Sequence, residues 1–127
     1  MRYLGIDYGD KRVGLALSDE DGILGMPFKT IQNQNLIKVL KKIIKDENVG
    51  MVIVGLPLNL NMQETGQTKK VNIFRDNLKR QINIPVEFEN EFLTSVQAEK
   101  SGVGKDKIDE ASAALILQSY FDKMKAK

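Results

Sequence analysis

Three carboxylates in this 127-residue chain stand where a binding group is more useful than a folding one. Asp7 closes the run Tyr3-Leu4-Gly5-Ile6 at the end of an apolar strand. Asp is a poor strand former, and open α/β sheets take their ligands at strand ends. The simpler alternative is a carboxylate capping the next turn through the amides of Gly9 or Asp10. Glu91 follows the alternation Val86-Glu87-Phe88-Glu89, which sends all three glutamates to one face of a strand. Such neighbours repel unless they are solvated or neutralised by a cation. A wet sheet face accounts for Glu87 and Glu89, whereas Glu91 falls where the strand should end, just before Leu93-Thr94-Ser95. Asp109 falls in the first turn of the last helix, where the macrodipole and free N–H groups favour an anion. A simple cap or first-turn acid at Asp106 or Asp109 is the plainer reading there. Yet Ala111, Ser112, Ala113 and Ala114 follow at once, and small side chains let a helix start approach a sheet closely, which brings Asp109 toward Asp7.

Composition narrows the chemistry further. The chain has no cysteine, no histidine and no tryptophan, which excludes disulfides, thiolate nucleophiles, Cys-ligated metals, Ser–His catalysis and imidazole acid–base chemistry. Carboxylates, lysines, hydroxyls, backbone dipoles and oxygen-bound metal ions remain. The net charge of +2 hides a pattern. Residues 1–21 and 85–99 are acid-rich, and the latter segment carries Glu87, Glu89, Glu91 and Glu99 without a basic residue. Segments 29–47, 64–80 and 100–127 are net basic. Each segment alone reads as a solvated face; together they suit a carboxylate centre framed by basic helices and acting on a polyanion. No stretch approaches the roughly 18 apolar residues of a membrane span, and the chain starts directly on a short strand without a signal-peptide h-region. A cytoplasmic protein with no membrane partner is expected, folded as a single domain over residues 1–127.

The elements that must position these groups follow from periodicity. Residues 2–8 and 12–18 read as strands joined by Gly9-Asp10-Lys11, hairpin-type turn chemistry. Asp19-Glu20-Asp21-Gly22 is a second turn, before a third strand near Met26–Ile31. Between Asn35 and Glu47, Leu36, Ile37, Val39, Leu40, Ile43 and Ile44 recur at helical spacing with lysines opposite; Gly50 is expected to end that helix. Met51-Val52-Ile53-Val54 is a buried, parallel-type strand, and residues 55–61 leave its end as a loop. A second helix is predicted from Glu64 to Arg80, a short strand over Ile84–Phe88, and helices over Thr94–Ser101 and Ile108–Lys125, separated by Gly102-Val103-Gly104. The expectation is an α/β fold with a mixed central sheet, an antiparallel meander feeding parallel βα units, with helices on both faces.

The run Gly5-Ile6-Asp7-Tyr8-Gly9-Asp10-Lys11-Arg12-Val13-Gly14-Leu15-Ala16-Leu17-Ser18-Asp19 closely resembles the opening signature of the YqgF family. These are Holliday-junction-resolvase-like nucleases of the RNase H fold, assigned to processing the 5′ end of pre-16S rRNA. Val54-Gly55-Leu56-Pro57-Leu58-Asn59 is similar to the family's strand-to-loop motif. Glu91-Phe92-Leu93-Thr94-Ser95 resembles its acidic block, and Ile108-Asp109-Glu110-Ala111-Ser112-Ala113-Ala114-Leu115-Ile116-Leu117-Gln118 its terminal helix. The blocks span nearly the whole chain in the family's order. One departs: the family usually shows Asp-Glu-Arg where this chain has Asn90-Glu91-Phe92.

The resemblance implies an RNase H-like five-stranded sheet and an acidic site of Asp7, Glu91 and Asp109, serving as both catalytic groups and metal ligands. Such a hard oxygen set suits Mg²⁺ or Mn²⁺, and two ions could support in-line attack on a phosphodiester. Lys11 and Arg12 are candidate phosphate contacts, with solvated hairpin charges as the plain alternative. Asn59, Asn61 and Thr65 could bond sugar or phosphate, though turn chemistry explains them nearly as well. The expected partner is nucleic acid: pre-rRNA, or alternatively a four-way DNA junction, with the chain a monomer or homodimer. A non-catalytic binding or assembly factor is the rival from another class, favoured by Asn90 and Phe92. The first strand and turn also resemble the phosphate loop of actin-like ATPases, but those enzymes need two lobes and this chain has room for one.

Overall fold

The computed structural model describes residues 1–58, 63–90 and 105–125, with the backbone alone for 105–108. Along these residues run β1 (Arg2–Asp7), β2 (Arg12–Ser18), β3 (Gly25–Gln32), α1 (Leu36–Asp46), β4 (Val49–Leu56), α2 (Gly66–Gln81), β5 (Val86–Asn90) and α3 (Lys105–Lys125). The strands form one five-stranded sheet in the order β3-β2-β1-β4-β5. β1 and β3 flank β2 antiparallel, whereas β4 lies parallel to both β1 and β5. This is the mixed sheet expected from the meander and the βα units. The helix expected over Thr94–Ser101 lies outside the described residues.

Several boundaries differ from the sequence pattern, each for a local reason. Gly50 does not end α1; that stop is made by Asn48, whose left-handed φ of 54° turns the chain while its N–H donates to the Lys45 carbonyl at 3.3 Å. Gly50 instead lies within β4, where a Cβ would stand 2.4 Å from Cγ of Met1. α2 starts at Gly66 rather than Glu64 because Thr65 and Thr68 form a reciprocal capping box, which satisfies N–H groups that the first turn leaves free. β5 begins after Pro85 and reaches Asn90, so Glu89 is a strand residue.

Alternation in the strands divides the core into two layers. Leu4, Ile6, Val13, Leu15, Val52 and Val54 pack with Leu36, Leu40, Val71, Phe74 and Leu78 beneath α1 and α2. On the opposite face Ala16 and Ile53 meet Ala113, Ile116, Leu117 and Phe121 of α3. Helices therefore cover both faces, and among the described residues α3 covers the face shared by Tyr3, Gly5 and Asp7. It lies very close. A Cβ on Gly5 would come within 2.6 Å of Leu117 Cγ and 2.9 Å of the Ala113 carbonyl oxygen. The small residues of the Ala-rich stretch serve that approach.

Glu89 corrects the expectation of a wet face. Glu87 is exposed, but Glu89 is only 4% exposed; its Oε2 accepts from Ser119 Oγ at 2.7 Å and pairs with Lys123 Nζ at 2.7 Å. Beside it Tyr120 is held above its ordinary pKa, first by burial and then by the nearby Tyr3, Glu87 and Glu89. A buried carboxylate that loses its cation is costly, although the Lys123 side chain is itself 58% exposed and so partly screened. Lys123→Met is expected to cost about 1–2 kcal/mol in urea denaturation, and less than about 0.5 kcal/mol when Glu89→Gln is already present. Equal costs in both backgrounds would show that the pair does not anchor β5 to α3.

Candidate active site

The sheet register builds the site. Asp7, the last residue of β1, sits directly across from Gly14 of β2, a spacing at which cross-strand neighbours stand about 4.5–5.5 Å apart. A Cβ on Gly14 would lie 1.9 Å from the Asp109 carbonyl oxygen, so the first turns of α3 rest directly on the β2 backbone at that position. Asp7 and Asp109 thus converge at one end and on one face of the sheet, with a glycine between them as the only residue that fits. Arg12 opens β2 two residues earlier and on the same face. Its Nε donates to Asp109 Oδ2 at 2.7 Å, a charge-assisted bond at the short end of the usual range.

The turn beside Asp7 is tied on several sides. The Tyr8 ring stacks on Phe74 of α2, with centroids 4.6 Å apart. Gln67 Nε2 donates to the Tyr8 carbonyl at 3.4 Å, and Lys70 pairs with Asp10 at 3.1 Å. From the end of β3, Asn33 donates its side-chain amide to Gly9 O at 2.8 Å and its backbone N–H to Lys11 O at 2.9 Å. Lys11 is left with an exposed side chain on a fixed backbone. Thr65 caps α2, its hydroxyl accepting from the Thr68 N–H at 3.4 Å; the turn chemistry weighed for it is what this contact displays. Glu91, Asn59 and Asn61 lie outside the described residues.

Two features here went unforeseen. The Arg12–Asp109 pair spans 97 positions, and no local pattern signals such a contact. Ser112 is fully buried one helical turn after Asp109, and among the described residues its Oγ has no hydrogen-bond partner. A serine in an otherwise alanine run was the available signal. Asp7 and Asp109 supply hard oxygen donors of the kind a divalent metal takes, although Arg12 already pairs with one of them. Among the described residues no group of three or more His, Cys, Asp or Glu side chains gathers to hold an ion.

A mixed five-stranded sheet in the order β3-β2-β1-β4-β5 with helices on both faces is an RNase H-like fold. Solved structures agree on the fold: the chain superposes on Thermus thermophilus RuvC in complex with Holliday junction substrate, with TM-score 0.63 at 11% identity, covering 98% of this chain and 96% of that one. It also superposes on the fowlpox virus Holliday junction resolvase, with TM-score 0.60 at 14% identity over 97% and 99%. The RuvX family model, described as Holliday junction resolvase, matches residues 1–123, and the chain belongs to that family of nucleases. Among its relatives a protein of Thermoanaerobacter pseudethanolicus named "Putative pre-16S rRNA nuclease" is 40% identical over the whole of both chains. A protein of the same name from Mycoplasma mobile is 35% identical, covering 96% of this chain and 92% of that one.

Proposed function

We propose that this nuclease acts on structured RNA and processes the 5′ end of pre-16S rRNA, with Asp7, Glu91 and Asp109 as its acidic site. The observation that carries this reading is the convergence of Asp7 and Asp109 across Gly14. Two strand-and-helix carboxylates at a sheet end, in a chain without histidine, suit hard divalent cations. Mg²⁺ or Mn²⁺, as two ions, is the proposed cofactor, held by the three acids; when bound, such ions generate a nucleophilic water and stabilise the leaving oxygen.

The chain's own residues do the rest. Lys11, on the tethered turn, and Arg12, at the start of β2, face the phosphates that flank the scissile bond. The backbone ties on residues 8–11 fix the turn that carries Lys11 before substrate arrives, so less ordering is required on binding. Asn59, Asn61 and Thr65 are proposed as sugar or phosphate contacts, Thr65 from the start of α2. The place of action is the cytoplasm, where rRNA precursors are assembled into ribosomes; no helix among the described residues is long and apolar enough to cross a membrane.

The second reading is a four-way DNA junction as substrate, favoured by the family's description and the resolvase fold. Resolving a junction requires two symmetric cuts and hence a two-fold dimer, whereas trimming RNA needs one site. Purified protein with Mn²⁺ should cleave a pre-16S 5′ leader and leave a synthetic junction intact. Cleavage of the junction alone would transfer the assignment to DNA. Binding of both without cleavage of either would make the chain a non-catalytic assembly factor.

A further inference from the structure

Arg12 stands between an acid and a groove. Its Nε holds Asp109 Oδ2 at 2.7 Å, yet the same side chain, 43% exposed, lines an open groove of about 440 Å³ with Phe28, Lys29, Thr30, Gln32 and Glu110. That groove runs along the outer edge of β3, beside the start of α3. Its lining sets two cations and two neutral hydrogen-bonding side chains against one carboxylate, and Lys29 Nζ lies 5.0 Å from the Phe28 ring centroid. A planar guanidinium, a second cation and short polar side chains are what a nucleic-acid backbone phosphate needs.

We propose that Arg12 is an exchange residue: its guanidinium neutralises Asp109 while the acidic site lacks a metal, and passes to a substrate phosphate in the β3 groove when a divalent cation takes the Asp109 carboxylate. This rests on the reading of Asp7 and Asp109 as metal ligands. The physical driver is charge. A divalent cation held by Asp109 would repel the guanidinium beside it, and in a half-exposed setting such repulsion is worth about tenfold in affinity. Leaving Asp109 relieves it, and the groove provides the anion that the guanidinium then requires. Arg12 is a positioning residue for Asp109 in the first state and a substrate contact in the second. Because coupling between two ligands is reciprocal, metal strengthens the hold on nucleic acid through Arg12, and nucleic acid strengthens the hold on metal.

The test reads binding and not turnover. Free Mn²⁺ measured by electron paramagnetic resonance gives metal affinity for the wild type, Arg12→Gln and Asp7→Asn. RNA affinity by fluorescence anisotropy is followed at constant ionic strength with and without Ca²⁺, another oxygen-seeking cation. Arg12→Gln is expected to bind Mn²⁺ about three- to tenfold more tightly than wild type, since its competing cation is gone. The wild type should bind a leader RNA about three- to tenfold more tightly with Ca²⁺ present, and Arg12→Gln should lose that gain. Unchanged or weaker Mn²⁺ binding by Arg12→Gln, or a retained gain, overturns the exchange. Asp7→Asn separates the two levels: if it holds Mn²⁺ as wild type does, the acidic site itself is misassigned, whatever Arg12 does. Arg12→Lys keeps the charge but not the fork, and so should restore wild-type Mn²⁺ affinity without restoring the full RNA gain.

Discussion

Asp7→Asn is expected to reduce Mn²⁺-dependent cleavage by at least about a hundredfold while RNA affinity measured without divalent cations stays within about threefold. The substitution keeps the size and most of the hydrogen-bonding capacity of the side chain, so β1 and its register with Gly14 should persist. What it removes is a negative charge and one of the proposed hard oxygen ligands at the point where Asp109 arrives. With no divalent cation present, affinity for a polyanion should rest on cations such as the proposed contacts Lys11 and Arg12, and removing a carboxylate should not weaken it. Single-turnover cleavage of a pre-16S leader and filter binding of the same RNA measure the two quantities side by side. Wild-type cleavage by the variant would remove Asp7 from the site. Loss of both activities together, with a lowered melting temperature, would make it a structural residue.

Gly14→Ala should have the largest effect on stability. The added methyl carbon would lie 1.9 Å from the carbonyl oxygen of Asp109 and 2.2 Å from its carbonyl carbon, and neither is the end of a flexible side chain that can turn aside. The clash is between two backbones, so α3 must rise off the sheet or β2 must bend. Overpacking of this kind costs about 3 kcal/mol or more, equivalent to a fall in melting temperature on the order of 10 °C for a chain of this size. Activity should fall further than stability, because any lift of α3 carries Asp109 away from Asp7. Gly66→Ala is the matched control: a Cβ there meets nothing within 4 Å, and it enters the first turn of α2, where alanine is the better helix former. It should be neutral or slightly stabilising. A Gly14→Ala protein that melts with wild type would show that α3 rests on the sheet less closely than its glycines imply.

Much of the architecture was legible because it rests on short-range periodicity. Alternation set β1 and β2 and their shared turn, the apolar run 51–54 marked a buried strand, and the 3.6-residue spacing of Leu36, Leu40 and Ile43 marked α1. What failed was punctuation and partnership. Gly50 looked like a helix stop, but a strand glycine under the Met1 side chain and a left-handed Asn48 share the work otherwise. Glu89 looked solvated because its strand neighbours alternate with it, and its partners Ser119 and Lys123 lie thirty or more positions away on α3. The same distance hid Arg12 and Asp109. Asp7 and Asp109 were visible as carboxylates at a strand end and a helix start, and the small residues at 111–114 pointed to their approach; what stayed hidden was its dependence on Gly14, which carries no side chain to advertise it. Long-range electrostatics is a property of the closed sheet, and local pattern cannot contain it.

The sheet order gives β1 a further consequence. It is the third of five strands, hydrogen-bonded on one side to β2 and on the other to β4, and its face toward α1 and α2 is wholly buried at Leu4 and Ile6. Backbone amides in such a position exchange with solvent only when the whole domain opens. Asp7 is therefore attached to the part of the molecule expected to exchange slowest, whereas Asp109 belongs to the first turns of a helix, where opening costs less. The two acids stand on opposite sides of a divide in local stability. Whatever loosens this site short of unfolding must act from the α3 side, and hydrogen–deuterium exchange would see it first there.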